Sequence, residues 1–249
     1  MTRRSREVGI VKSFVLGAAL AAALAVPAQA GDNKIALSAT TVFTTDYLFR
    51  AISASDQLPA VQPEFDLTYG MFYAGIWGSN THAPVYGDGV EIDYYVGITP
   101  KWGPITFNIA GLYYTYPGAE EIDYFELKTG ASWTGGNWTL GLTNYWSPDN
   151  FQVTDDSDAI EGSVGYAFSG KLFNFFSPSI SALVGFQSYE EVYSDYTYWN
   201  AGLTLGFMEH WSADVRYFDT DYNETECFIN SGGRDNCDAR VVGTIKAVY

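Results

Sequence analysis

Twelve segments of this chain alternate apolar and polar side chains with a period of two, and each keeps an apolar face free of charge. That period belongs to a β-strand, whose successive side chains point to opposite faces. Val90 to Ile98 is the clearest case: Val90, Ile92, Tyr94, Val96 and Ile98 oppose Glu91, Asp93, Tyr95 and Gly97. Val61 to Tyr69 sets Val61, Pro63, Phe65, Leu67 and Tyr69 against Gln62, Glu64, Asp66 and Thr68. Ile35 to Phe49 reads as one long strand with Ser38, Thr40, Thr44 and Asp46 on its polar side. The other nine lie around Phe72–Ser79, Ile105–Ala110, Phe125–Trp133, Trp138–Thr143, Ile160–Tyr166, Ile180–Gln187, Tyr198–Phe207, Ala213–Tyr217 and Arg240–Tyr249. No helical period competes, so the expected class is all-β.

The charges sort onto the polar face: Asp46, Glu64, Asp66, Glu91, Asp93, Glu126, Glu161 and Asp214, with Arg50, Lys128, Arg216, Arg240 and Lys246. A soluble sandwich or barrel would point the apolar face inward. A transmembrane barrel points it at lipid and lines its lumen with the polar face. Three features select the membrane barrel. Links alternate between short (Gly70, Pro100 to Pro104, Thr134 to Asn137, Met208 to His210) and long (Ala51 to Leu58, Asn80 to Gly89, Ser147 to Asp158, Ser188 to Asp195, Phe218 to Asp238). Pro117 to Glu121 is shorter and Ser169 to Pro178 longer than the alternation requires. Aromatics gather at segment ends (Tyr47, Phe49, Trp133, Trp138, Trp199, Trp211), as in interfacial girdles. The chain also ends on an alternating segment with an aromatic, Tyr249, the form of an assembly tail for outer-membrane barrels. The expected architecture is a transmembrane antiparallel β-barrel of about 12 strands, with both termini periplasmic.

The first thirty residues read as a Sec signal peptide. Arg3, Arg4, Arg6 and Lys12 form a basic start, Ser13 to Val26 is apolar, and Ala28-Gln29-Ala30 is a small-x-small cleavage site. The sequence following Arg3-Arg4 fits a twin-arginine signal poorly. Residues 31–249 are then one barrel domain, exported to the outer membrane. A net charge of −16 leaves no basic patch for nucleic acid. In an exported chain Cys227 and Cys237 are expected to form a disulfide, since two cysteines make half a zinc site and neither histidine is nearby.

Outer-membrane barrels include enzymes. His82 falls in an outer loop and His210, near Ser212, in a short turn, and no nucleophile-elbow or zinc motif accompanies them. No catalytic residue, metal or cofactor is therefore assigned. The outer loops hold acidic groups (Glu120-Glu121, Asp155-Asp156, Glu190-Glu191, Asp219, Asp221, Glu224, Glu226) without EF-hand spacing. They read as a solvated rim bridged to lipopolysaccharide by divalent ions. The candidate pore-lining residues are Asp46, Arg50, Glu64, Asp66, Glu91, Asp93, Glu126, Lys128, Glu161, Asp214, Arg216 and Lys246. An acidic excess on this face favours cations, and opposed Arg and Lys set up a transverse field. The expected partners are outer-membrane lipid and lipopolysaccharide, the barrel-assembly machinery through the strand ending at Tyr249, and a small polar solute or ion.

Four runs add a family resemblance: Asp46-Tyr47-Leu48-Phe49-Arg50-Ala51-Ile52-Ser53, Gly70-Met71-Phe72-Tyr73-Ala74-Gly75-Ile76-Trp77-Gly78-Ser79-Asn80, Glu91-Ile92-Asp93-Tyr94-Tyr95-Val96-Gly97 and Tyr113-Tyr114-Thr115-Tyr116-Pro117-Gly118. In order and spacing, and in the Cys pair before the last strand, the chain resembles the proteobacterial TorF-type porin family. It departs at Ala51, where that family tends to have Gly, and at Tyr249, where Phe is commoner. The resemblance implies an outer-membrane barrel of porin function and supplies no catalytic residues. The expected function is passive diffusion of small polar solutes or ions through a narrow, mildly cation-favouring lumen. The alternatives are a non-conducting structural or adhesive barrel acting through its acidic loops, and a lipid-modifying barrel enzyme.

Overall fold

The structure, a computed structural model, describes residues 34–82, 89–233 and 235–249. The signal-peptide expectation lies outside the described residues. Twelve long antiparallel strands form the wall: β1 (Ile35–Thr44), β2 (Ala60–Tyr69), β3 (Phe72–Thr81), β4 (Gly89–Ile98), β5 (Ile105–Thr115), β6 (Tyr124–Gly135), β7 (Trp138–Ser147), β8 (Ser157–Ala167), β9 (Ser177–Tyr189), β10 (Tyr196–Phe207), β11 (Trp211–Thr220) and β12 (Arg240–Val248). Each pairs with its sequence neighbours, and β12 pairs with β1, so the sheet closes on itself. The closing register runs from Thr40↔Val248 to Thr44↔Thr244. It is extended at one end by the reciprocal Ala39–Tyr249 backbone bonds, both 2.8 Å, and at the other by Thr45 N–H to Gly243 O at 3.0 Å. Closure leaves no open edge, which is what hydrocarbon requires of a sheet.

The phase of each strand agrees with the sequence pattern. Along β2, outward Val61, Phe65 and Leu67 are exposed while Gln62, Glu64 and Asp66 are half-buried. Leu37 (75 %), Val96 (64 %), Leu142 (57 %) and Val241 (65 %) belong to a belt of large exposed apolar side chains around the wall. At ~25 cal/mol per Å² such a belt is untenable in water and is satisfied by lipid. The soluble alternative, with the apolar face inward, is thereby excluded. Among the described residues no helix is long and apolar enough to cross a membrane.

One end of the barrel carries the short turns, the start of β1 and the end of β12; the other carries the long loops. At the turn end, Gly70 and Gly136 adopt φ of 61° and 60° in two-residue connections, a conformation glycine takes without Cβ strain. The segment after β8 is the long exception at this end, and its Leu172 bridges to Phe176.

Three sequence expectations are corrected. First, the strand expected over Ile35 to Phe49 stops at Thr44. The chain then turns into the barrel, where Leu48–Phe49 and Ile52–Ser53 form a short hairpin. Second, Tyr47 (2 %) and Phe49 (7 %) are buried in the lumen instead of forming a girdle, because they belong to this hairpin. Third, the link before β12 holds a helix, α1 (Glu224–Ser231). Its cap is reciprocal: Asn223 accepts from the Thr225 and Glu226 amides, and the Glu226 carboxylate accepts from the Asn223 amide. The Asn-x-x-Glu signal was present but sits in a polar stretch too short to show a helical period. The expected disulfide joins Cys227 on α1 to Cys237, with Cα atoms 5.7 Å apart.

The orientation of the wall makes a direct prediction. Leu142→Arg puts a charge on the lipid face in the middle of β7 and should cost ~2–4 kcal/mol. Denaturant unfolding in lipid vesicles, followed by tryptophan fluorescence, measures it. A loss below 0.5 kcal/mol would mean that this face does not meet lipid.

Candidate functional site

The lumen is where the charged side chains converge. Its loop-end half is crossed by the hairpin of residues 45–59. Leu48 pairs with Ser53 and Phe49 with Ile52, which leaves Arg50 and Ala51 as the two central turn residues. Both have positive φ, 47° and 66°, as a type I′ turn demands. Ala51 holds a left-handed conformation that costs an L-residue ~1–2 kcal/mol.

Two clamps hold the hairpin. At its tip Arg50 (3 % exposed) donates from Nη2 to both Glu126 oxygens, at 2.7 and 2.9 Å, and from Nη1 to Gln187 Oε1 at 2.7 Å. The Tyr114 hydroxyl also donates to Glu126 (3.0 Å), and the Tyr196 hydroxyl to the Arg50 carbonyl (3.2 Å). The guanidinium lies 5.0 Å from the Tyr145 ring centre, and the Lys128 ammonium 5.4 Å from the same ring. At the base of the hairpin Asp46 accepts from Ser53 (2.6 Å), Ser55 (3.0 Å) and Arg240 Nη1 (2.8 Å). The Ser53 amide is tied to the Asn236 carbonyl beside the disulfide, at 2.8 Å. At the loop end Tyr222 packs against the same cluster as Leu48 and Ile52, stacks on Tyr196 at 4.4 Å and donates to the Ser194 carbonyl. Burial holds its phenol above the ordinary value, so it stays a donor.

A third knot joins β9, β10 and β11. Arg216 (1 % exposed) donates to Asp214, to Asn200 Oδ1 (2.8 Å) and to Ser181 Oγ (2.8 Å), and the Thr204 hydroxyl donates to Asp214 at 2.6 Å. The Tyr198 hydroxyl donates to Glu161 (2.8 Å). Phenols fill much of the remaining space, because inward glycines make room for them on the adjoining strand. Gly75 faces Tyr95, Gly97 faces Tyr73 and Gly185 faces Tyr198, and a Cβ on any of these glycines would lie within 2.7 Å of the ring.

Of the twelve sequence candidates, Glu64, Asp66 and Lys246 are half-buried on the inner face. Tyr95 donates to both of the first two, at 2.6 Å to Asp66 and 3.1 Å to Glu64. Asp46, Arg50, Glu91, Asp93, Glu126, Lys128, Glu161, Asp214 and Arg216 are buried inside the barrel. Asp46 and Arg50 come from the hairpin instead of the wall. The residues that hold these charges were not singled out as functional: Gln187, Asn200, Ser181 and the phenols of Tyr114, Tyr145, Tyr196 and Tyr198. Their signal was placement, since they fall on the polar phase of their strands. Of the histidines, His210 stacks on Tyr249 at 4.6 Å in the short turn before β11.

Two predictions follow from the hairpin clamp. Glu126→Gln leaves Arg50 buried without its countercharge and should cost about 3–5 kcal/mol in denaturant unfolding. The double replacement Arg50→Met/Glu126→Leu should recover part of that loss. Ala51→Gly should stabilise by about 1 kcal/mol, the left-handed strain relieved less the added chain entropy. A destabilised Ala51→Gly would refute the turn assignment.

Comparisons with known proteins agree with this geometry at the level of fold. A family described as "Bacterial protein of unknown function (Gcw_chp)" matches residues 28–249. No curated protein matches the sequence significantly. Among solved structures, the chain is similar to the KdgM porin, at a TM-score of 0.56 and 7 % identity, covering 84 % of this chain and 98 % of that one. A KdgM porin in complex with disordered oligogalacturonate gives a TM-score of 0.57 at 7 % identity, over 84 % and 98 % of the two chains. The NanC porin gives 0.52 at 12 % identity, over 86 % and 98 %.

Proposed function

The chain belongs to the bacterial family Gcw_chp, and we propose that it serves as a narrow outer-membrane channel for passive diffusion of small polar solutes or ions, with a mild preference for cations. The observation that carries this reading is the lining of a closed twelve-stranded barrel with ionic groups. Eight acids (Asp46, Glu64, Asp66, Glu91, Asp93, Glu126, Glu161, Asp214) stand against five bases (Arg50, Lys128, Arg216, Arg240, Lys246). Carboxylate-rich walls favour cations, and opposed cationic groups orient a dipolar solute. The TorF-type resemblance and the porin-like fold point the same way. In this reading the loop end and its acidic rim face the cell exterior beside lipopolysaccharide. The turn end faces the periplasm, and the strand ending at Tyr249 is the assembly tail. The hairpin crosses the loop-end half, which makes that half the constriction in this reading. An acidic lumen suits an anionic uronate chain, such as the oligogalacturonate bound by one neighbour, poorly.

A second reading has a specific observation in its favour. The Arg50–Glu126 pair crosses the lumen with side chains only 4 % and 1 % exposed, so the hairpin works as a polar plug and the barrel does not conduct. Planar-bilayer recording of the refolded protein under a salt gradient separates the two. The channel gives discrete conductance steps and a reversal potential on the cation-selective side. Glu64→Gln/Asp66→Asn, which neutralises half-buried wall acids, should move that potential toward zero. A folded, heat-modifiable barrel without steps overturns the channel and selects the plug.

A further inference from the structure

We propose that Glu91 and Asp93 on β4 form a buried site for a divalent cation of the calcium type. The two residues are two apart on one strand and share its inner face, about 6.6 Å apart along the chain. Each is 1 % exposed. The Tyr116 hydroxyl donates to Glu91 Oε1 at 3.1 Å and Tyr47 bonds the same carboxylate, which fixes it, yet Glu91 Oε2 and Asp93 Oδ1 have no hydrogen-bond partner among the described residues.

Among the described residues, no buried oxygen of the other buried lumen acids is left without a partner. Glu126 is held by Arg50 and Tyr114, Asp46 by Arg240 and two serines, Asp214 by Arg216 and Thr204, and Glu161 by Tyr198. Glu91 and Asp93 present two negative charges and two bare oxygens where water does not reach. An uncompensated ionised carboxylate in such a place costs several kcal/mol, so the pair takes up either protons or a cation. Carboxylate and phenol oxygens are hard donors, the kind calcium binds at 2.3–2.6 Å in flexible geometry. Among the described residues no trio of His, Cys, Asp or Glu is arranged around a metal, so the ligands beyond the two carboxylates are the phenols of Tyr116 and Tyr47, both of which bond Glu91. A net charge of −16 and the acidic loops raise the local concentration of divalent ions over monovalent anions.

The inference stands apart from the channel reading, because its test measures ion binding and not conductance. The refolded wild-type barrel is stripped with a chelator and melted in detergent with and without added Ca²⁺, followed by tryptophan fluorescence. The site predicts a rise in melting temperature of about 5 °C or more at saturating Ca²⁺. Glu91→Gln/Asp93→Asn should abolish that rise, whereas Glu190→Gln/Glu191→Gln, at an exposed acidic loop, should keep it. If the double variant does not refold, Asp93→Asn alone takes its place, since it leaves the Glu91–Tyr116 bond intact. The absence of a Ca²⁺-dependent rise in the wild type overturns the proposal and leaves a protonated pair. A rise that survives the Glu91 and Asp93 replacements overturns it too, because the ion then sits elsewhere.

Discussion

Everything in this molecule depends on the ladder between its first and last strands. A sheet in hydrocarbon has no water to satisfy an open edge, so a strand whose amides face lipid unpaired is not an allowed intermediate geometry. Here the seam joins Thr40–Thr44 to Thr244–Val248 and is extended by the Ala39–Tyr249 and Thr45–Gly243 bonds. On the inner side of the seam Thr44 and Thr244 approach each other at 3.4 Å. Once β12 meets β1, strand number and phase together decide which side chains face lipid and which face each other across the lumen. The side on which each charge of the described wall strands falls therefore follows from a backbone contact that involves none of them.

Closure creates the second problem, which is what to do with the charges it encloses. Burying Arg50, Glu126, Asp214, Arg216 and Asp46 without partners would cost more than the barrel gains. The chain answers with partners from distant parts of the sequence. Arg50 and Glu126 are 76 residues apart, Arg50 and Gln187 are 137 apart, and Asp46 and Arg240 are 194 apart. These contacts can form only after the wall has closed, so the hairpin is ordered by the barrel and not the reverse. The Gly–Tyr cross-strand pairs serve the same end by another route. Removing a Cβ from one strand lets a phenol from the next lie against the wall, filling space while offering a hydroxyl to a carboxylate (Tyr95, Tyr198) or to the Asn108 amide oxygen (Tyr73). An inner face rich in tyrosine is thus a way to pack a polar core while giving several of its carboxylates a donor.

This division of labour explains what could be read from the sequence. The wall was legible because strand phase is a local property: the alternation of Val90 to Ile98 needs no knowledge of any other segment. The count of twelve strands, their faces and the alternation of short and long links all emerged from neighbours in sequence. The hairpin was not legible. Asp46, Tyr47 and Phe49 continue the alternation of β1 without a break, and nothing local shows that the backbone leaves the sheet after Thr44. That departure is decided by Arg240 and Glu126, which lie far along the chain. The helix α1 escaped for a different reason, since eight residues held by a capping box and a disulfide do not need an amphipathic period to be stable. Arg50 and Glu126 both stood among the charged candidates, but their pairing is a product of closure.

The same reasoning locates where function is decided. The wall residues Glu64, Asp66 and Lys246 are bound to strands whose positions closure determines, so their charges form a fixed lining. The hairpin is different in kind. Its backbone is tied to the rest of the protein by single bonds such as Ser53 N–H to Asn236 O and Thr45 N–H to Gly243 O, and its tip by one ion pair and a handful of hydroxyls. Its turn also carries the left-handed strain of Arg50 and Ala51. In the channel reading, permeability at the loop end depends on the balance between that strain and the Arg50–Glu126 contact. A wall that is rigid by necessity and an obstruction that is held by side chains divide the protein into a frame and a setting. Differences in conductance among barrels of this design should then lie in residues 45–59 and their partners, and not in the strands that enclose them.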